Sequence, residues 1–227
     1  MELSIDTSTE VAGVALSQQG VPRTELTWTV GRNHTTQLLS QVDRLLNLER
    51  IEARQLDAIF VAVGPGAFNG IRVALSTAKG FAVSLVIPLV GISTLEVEAF
   101  PFACTRLPVI AIHDANRSEL ATASYQVLHG EWHCTQEERL TTIETLCADT
   151  SVPTVFCGEI PAGVESVLRQ RLAGLAVIPD ASARMRRTGH LAALAWRRLQ
   201  QGSFDDPATL QPIYMRRPHI TIPKNQQ

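Results

Sequence analysis

Ten residues, Val63-Gly64-Pro65-Gly66-Ala67-Phe68-Asn69-Gly70-Ile71-Arg72, constrain this chain more than any other stretch. An apolar, β-branched run (Ala58-Ile59-Phe60-Val61-Ala62-Val63) precedes them, and a helix-like run from Ile71 to Leu85 follows. A strand therefore ends in a glycine-rich turn whose far end opens a helix. Gly64 and Gly66 admit backbone angles that a Cβ forbids, and Pro65 stiffens the turn. Asn69 is placed to cap a helix beginning near Gly70. Such a start offers free amides and a positive dipole end to an anion. A tight connection with no ligand is the plainer reading. The spacing is not that of a P-loop: no lysine follows the last glycine, and there is no Gly-x-Gly-x-x-Gly.

The chain of 227 residues suits one large domain or two small lobes with a real core. Hydrophobic residues make up 45% and charged residues 19%, as in an ordinary soluble globular protein. The net charge of −2 hides an asymmetry, because residues 181–227 hold 8 basic and only 2 acidic side chains. That region carries Arg184, Arg186, Arg187, Arg197, Arg198, Arg216, Arg217 and Lys224. Basic clusters can meet phosphate backbones, but a solvated helix face and a frayed terminus explain these residues more simply. Cys104, Cys134, Cys147 and Cys157 form no C-x-x-C pair, which disfavours a zinc ribbon or redox motif. Glu2 and Asp6 interrupt any apolar leader, and the longest apolar stretch, Phe81 to Ile92, is too short to span a bilayer. A cytoplasmic protein without membrane contact is the expectation.

Along the chain, Leu3 to Ile5, Val11 to Leu16 and Thr24 to Val30 read as a meander of three strands. Leu38, Leu39, Val42, Leu45 and Leu46 recur at helical spacing and predict a helix from His34 to Leu48. A buried strand (Leu56 to Val63), the helix Gly70 to Leu85 and a strand from Leu89 to Ile92 follow. The order restarts after Pro108: a strand at Val109 to Ile112, alternation over Leu120 to Leu128, and a His129-Gly130 turn into Glu131 to Cys134. A helix at 143–148, a strand at 154–157 and helices at 163–172 and 189–201 complete it. The halves share a plan of meander, helix, strand, helix, which rests on element order alone.

These residues resemble the TsaB family (formerly YeaZ), which belongs with the actin-like ATPases. Leu3-Ser4-Ile5-Asp6-Thr7-Ser8-Thr9-Glu10 is similar to the family's "ILAIDTST", and Gly64 to Arg72 to its "GPGSFTGVR". Gly91-Ile92-Ser93-Thr94-Leu95-Glu96 resembles "GVSTLEALA". Beyond residue 100 the likeness thins to Asp114–Glu119, against "DARRGEVY", and Pro212 to Arg216, against "PxYLR". The resemblance implies an α/β, actin-like (ribonuclease H-like) fold with two duplicated lobes. Residues 1–104 would form the lobe carrying a partner interface. Residues 105–227 would form a degenerate second lobe whose final helix packs back on the first.

It also implies a role in forming N6-threonylcarbamoyladenosine beside the anticodon of tRNA. The chain would serve as the dimerisation subunit of a TsaD-type transferase, joined by a TsaE-type ATPase, with tRNA met only indirectly. The helices 34–48 and 70–85 would supply the interface through His34, Leu38, Leu39, Val42, Leu46, Arg72, Ala74 and Ala78. Leu38, Val42 and Leu45 are expected to face the sheet, with Leu39, Leu46 and Ala74 facing out. A homodimer of the chain alone is left open.

Catalytic residues and a metal site are not expected. Transferase-type chains read close to "GVHHMEAH", and Thr94 and Glu98 stand at the two histidine positions, a pair poorly suited to iron or zinc. The His129-Gly130-Glu131-Trp132-His133 segment reads as a hairpin, which separates its histidines. Actin-like proteins clamp phosphates between two hairpins. Asp6, Thr7, Ser8, Thr9, Gly64 and Gly66 are the candidate phosphate contacts, although Asp, Ser and Thr often satisfy their own turn instead. The second clamp is expected near Asp114, where Ala115 and Asn116 replace glycines. The adenosine loop is expected near Cys157-Gly158-Glu159. No cofactor of the chain's own is expected, and any ATP or ADP would bind weakly or at a partner interface. The alternatives are a stand-alone actin-like small-molecule kinase and a protease or protease chaperone.

Overall fold

The structure is a computed structural model that describes residues 1–30, 34–115 and 118–216, with the side chains of residues 34–36 outside it. The first half builds a five-stranded sheet in the order β3-β2-β1-β4-β5. Its strands are β1 (Glu2–Asp6), β2 (Val11–Gln18), β3 (Val21–Thr29), β4 (Ala58–Ala62) and β5 (Leu89–Ile92). The second half repeats that order as β8-β7-β6-β9-β10. These strands are β6 (Val109–Asp114), β7 (Leu120–Leu128), β8 (Glu131–Thr141), β9 (Thr154–Gly158) and β10 (Ala176–Val177). In each sheet the first three strands run antiparallel and the last two join in parallel. The duplication read from element order is therefore present in strand order and direction.

Both faces of the first sheet are covered, which is why β4 reads as an unbroken apolar run. Ile59 and Val61 turn outward onto α1 (His34–Glu49) and α2 (Phe68–Leu85). Ala58, Phe60 and Ala62 turn inward onto α6 (Thr188–Gln200). In the second sheet Val155 and Cys157 pack inward with α3 (Thr94–Ala99), and Phe156 packs outward on α4 (Ile143–Asp149) and α5 (Ala162–Arg171). α3 touches α6, so these two helices form the layer between the sheets. The last helix thus packs on the first sheet, although it follows the second in sequence.

The chain after α6 stays with the first lobe. Asp205 bridges to Leu89 on the open edge of β5, and its carboxylate accepts the Gly91 amide at 2.8 Å. The Ile213 amide donates to the Val63 carbonyl at 2.8 Å, and Arg216 reaches Glu119 in the second lobe. The edge of β5 is covered as a result, which removes a site for strand addition.

Two local departures from the sequence reading have physical causes, and the expected hairpin at His129-Gly130 is present. β8 runs to Thr141, well past Cys134, because a sheet edge tolerates the polar run Thr135 to Arg139 on a largely exposed strand. α3, which the linear pattern leaves out, is too short for periodicity to reveal. His129 (φ 53°) and Gly130 (φ 86°) form the hairpin turn, and His133 pairs with Gln126 in the ladder, so the two histidines share no helix face.

Candidate functional site

The Asp6–Thr9 turn at the carboxyl end of β1 and the glycine-rich turn before α2 are locked together. Asp6 Oδ1 accepts the Ser8 amide at 2.9 Å and the Ser8 hydroxyl at 2.6 Å. The Thr7 hydroxyl donates to the Gly70 carbonyl at 2.7 Å. The Ser8 carbonyl accepts the Ala67 amide at 2.6 Å. A Cβ on Gly66 would lie 2.1 Å from the Ser8 carbonyl oxygen, so this glycine answers to backbone approach within the chain. Gly64 has φ +102°, and a Cβ there would lie 2.7 Å from the Ile213 carbonyl oxygen. The clamp on Ser8 also moves the helix start. α2 begins at Phe68 with Ala67 as its N-cap, and Asn69 sits inside the first turn without the capping role its position predicted.

Arg186 fills the space between the two sheets. It lies in the loop that carries the chain from β10 back to α6, and it is only 8% exposed. Its Nε is 2.6 Å from Asp6 Oδ2, and one terminal nitrogen is 3.1 Å from Glu98 Oε1 on α3. The other terminal nitrogen donates to Thr9 Oγ1 at 2.9 Å and to the Val11 carbonyl at 2.6 Å. Glu159 Oε1 stands 3.9 Å away. Two of the candidate phosphate contacts, Asp6 and Thr9, thus hold a guanidinium of the same chain, while the Ser8 hydroxyl serves its own turn and the Thr7 hydroxyl the start of α2.

The second lobe enters the same network through His113, whose Nε2 is 2.7 Å from Glu98 Oε2. Sheet parity explains the choice of residue. Leu3 and Ile5 face outward on β1, as Ile110 and Ile112 do on β6, so inward-facing Asp6 is matched by His113. The sequence reading expects the second clamp near Asp114, which lies one residue further on and on the other face of its strand from His113. Gly158, expected in an adenosine loop, has φ +88°, and a Cβ there would meet Glu98 Oε2 at 2.7 Å. The Ile112 carbonyl oxygen, at 2.6 Å from that Cβ, is closer still, so the glycine answers both to the neighbouring strand and to the carboxylate that joins the lobes.

Electrostatics favour the charged forms of His113 and Arg186. Burial alone would lower the His113 pKa, but the Glu98 carboxylate outweighs it and raises the value above that of a free imidazole. Burial likewise works against the Arg186 charge, and Asp6 and Glu98 together reverse that. Glu98, which stands where a metal-binding histidine would on the transferase pattern, is engaged on both carboxylate oxygens. Among the described residues no group of three or more His, Cys, Asp or Glu side chains is arranged to hold a metal ion. No described helix is long and apolar enough to cross a membrane.

Among the described residues, the basic side chains of the last quarter are engaged within the chain. Arg184 pairs with Glu165 at 2.9 Å and Arg187 with Glu25 at 3.1 Å. Arg198 pairs with Asp205 at 2.8 Å, and Arg216 pairs with Glu119. Arg197 lies over the Phe100 ring. Arg217 and Lys224 lie outside the described residues. Glu25 has a second task, since it accepts the Thr188 amide at 2.7 Å and so caps α6 from β3.

The predicted interface residues divide. Leu38, Val42 and Leu45 are buried against the sheet, as their spacing implied, and Leu39 is 58% exposed. Leu46 and Ala74 were expected to face out, but both are buried, and Ala78 with them. The reason is geometric: α1 and α2 also pack on each other, and small residues on α2 let the helices approach. Arg72 is exposed with its guanidinium over the Phe68 ring. The backbone of His34 opens α1, and its side chain lies outside the described residues. Sequence reasoning missed Leu48 (56% exposed) and Val83 (64% exposed) on the outer surface, and Gly80, where a Cβ would meet nothing within 4 Å.

Comparison with known proteins agrees with this architecture. The family model for TsaD, tRNA N6-adenosine threonylcarbamoyltransferase, matches residues 28–156. The chain is 34% identical over 128 residues to the tRNA threonylcarbamoyladenosine biosynthesis protein TsaB of Bacillus subtilis, covering 56% of each. It spans little more than half the length of the curated relatives it matches, 60% for the Escherichia coli protein. A solved structure from Pseudomonas aeruginosa, described as an uncharacterized protein with similarity to peptidase YEAZ, superposes with a TM-score of 0.80 at 27% identity. That alignment covers 95% of this chain and 99% of the other. Component A of (R)-2-hydroxyglutaryl-CoA dehydratase from Acidaminococcus fermentans shares the fold alone, with a TM-score of 0.50 at 11% identity and 88% and 98% coverage. The paired sheets, the matched family model and these neighbours lead to one conclusion: the chain has an α/β actin-like fold and belongs to the TsaD family, in its TsaB (YeaZ) branch.

Proposed function

We propose that the chain takes part in forming N6-threonylcarbamoyladenosine in tRNA as the non-catalytic dimerisation subunit of a TsaD-type transferase. The observation that carries this reading is the outer face of α1 and α2. Leu39 on α1 and Val83 on α2 lie exposed there, and Gly80, three residues before Val83, is an open position in mid-helix. A glycine in a helix interior costs about 1 kcal/mol relative to alanine, and nothing in the chain itself offsets that loss at Gly80. A partner helix packed at close range would do so.

The cleft supports the same reading from another side. The turn hydroxyls and Asp6 are engaged within the chain, and Glu98 is held by His113 and Arg186. Most of the basic residues of the last quarter already have acidic partners, which favours contact with tRNA through the transferase over direct contact. A TsaE-type ATPase would complete the assembly, and any nucleotide would belong to it or to an interface.

Reconstitution tests the reading. Threonylcarbamoyladenosine formation should require this chain beside the transferase and ATPase, and Leu39→Asp should reduce co-elution with the transferase on gel filtration. Formation at full rate without the chain, or ATP turnover by the chain alone, would overturn it.

A further inference from the structure

Arg186 has more acceptors around it than a structural ion pair needs. A guanidinium is a planar fork with five N–H donors, and four of its contacts here are made by groups from separate elements. Asp6 ends β1, Thr9 lies in the turn, Val11 opens β2, and Glu98 comes from α3. Glu98 then carries the connection to His113 at the matching end of β6. A compact ammonium could satisfy one or two of these acceptors. It could not reach Asp6 and Glu98 and also donate to Thr9 and the Val11 carbonyl.

We propose that Asp6, Thr9, the Val11 carbonyl and Glu98 form a guanidinium-binding site between the two sheets, and that Arg186 is its resident ligand, fixing the angle between the lobes. The two central strands end at this point, where open α/β folds receive diffusible ligands. In this chain a side chain takes that place, so the lobes keep one geometry with no ligand bound. A buried ion network is a weak source of net stability, because desolvating its charges offsets their attraction. Its contribution is to specify geometry: tilting either sheet would strand at least one buried charge.

The site makes a prediction about chemistry as well as shape. Removing the Arg186 side chain leaves a receptor that should accept an alkylguanidinium and reject an alkylammonium of the same size. The test uses the full chain with Cys104, Cys134 and Cys147 replaced. Spin labels at Arg44→Cys on α1 and Val152→Cys before β9 report the distance between lobes by double electron–electron resonance. The parent should give one narrow distribution. Arg186→Ala should broaden it, and millimolar ethylguanidinium should narrow it again and raise the melting midpoint. Ethylammonium at equal ionic strength should do neither. An unbroadened Arg186→Ala distribution, or equal effects of the two cations, would overturn the proposal. If Arg186→Ala does not fold, Arg186→Lys serves in its place. Its single ammonium should leave the distribution broad, and a parent-like distribution would again overturn the proposal.

Discussion

The two lobes share a sheet and differ in what covers it. Strand order and direction are the same in both, yet the outer helices of the first lobe span 16 and 18 residues and those of the second only 7 and 10. The first pair carries Leu39, Leu48 and Val83 on its solvent side, whereas the second presents Glu144, Asp149, Arg169 and Arg171. Arg169 there pairs with Glu165 one helical turn away, as a solvated face does. The lobes share one strand order, and their helix layers differ: the first exposes apolar side chains to solvent and the second exposes charged ones.

The largest expected effect comes from placing the same charge on both helix layers. Ala74→Asp buries a carboxylate at a fully enclosed position on α2 and should cost about 4 kcal/mol or more, enough to prevent folding. Ala148→Asp on the exposed side of α4 should stay within about 0.5 kcal/mol. Urea unfolding of the two variants decides, and equal losses would erase the contrast between the layers.

Next in size is the seam between the lobes. Glu98→Ala strands the buried Arg186 and His113 and should cost about 3–5 kcal/mol. Asp149→Ala, at its more solvated pair with Arg139 within the second lobe, should cost less than about 1 kcal/mol. A small loss at Glu98, measured by thermal and denaturant melts, would mean that the lobes do not depend on their shared network.

Leu39→Asp sharpens the comparison on the binding side. Stability should change by no more than about 0.5 kcal/mol, while affinity for a TsaD-type transferase should fall by about 2 kcal/mol, roughly 30-fold. Glu144→Lys on the second lobe should leave that affinity unchanged. Titration calorimetry separates these outcomes, and equal losses would show that the first lobe's helices are not the interface.

The smallest effect is one of pH. The folded-state pKa of His113 is raised above the unfolded value of about 6.5. Its contribution to stability is therefore complete below that value and is lost as pH climbs through the folded-state pKa. The parent should lose more stability than His113→Asn between mildly acidic and mildly alkaline pH. Parallel slopes in urea melts would assign the pH dependence elsewhere.

Much of the fold was legible along the chain. β5 was read at its observed limits from an apolar run, and α1 from its leucine spacing, because each pattern follows from burial of one or two faces. Gly66 was recognised as needed at its turn, but its reason lies 58 positions upstream in the Ser8 carbonyl, which linear inspection cannot place. Ala74 was misplaced because periodicity assigns a helix one buried side, and the second helix packed against α2 buries another. Arg186 had no signal at all: in a sequence a buried arginine reads like any member of a basic cluster.

The sequence by itself determined most of the order of strands and helices and the bond of Asp6 to Ser8 within its turn, since these depend on neighbours a few residues apart, and its motifs carried the family. Only the tertiary structure decided what occupies the space between the lobes and which helix positions remain exposed. Asp6, Glu98, His113 and Arg186 come from four distant segments, and their charges can be weighed only once burial has removed the water between them.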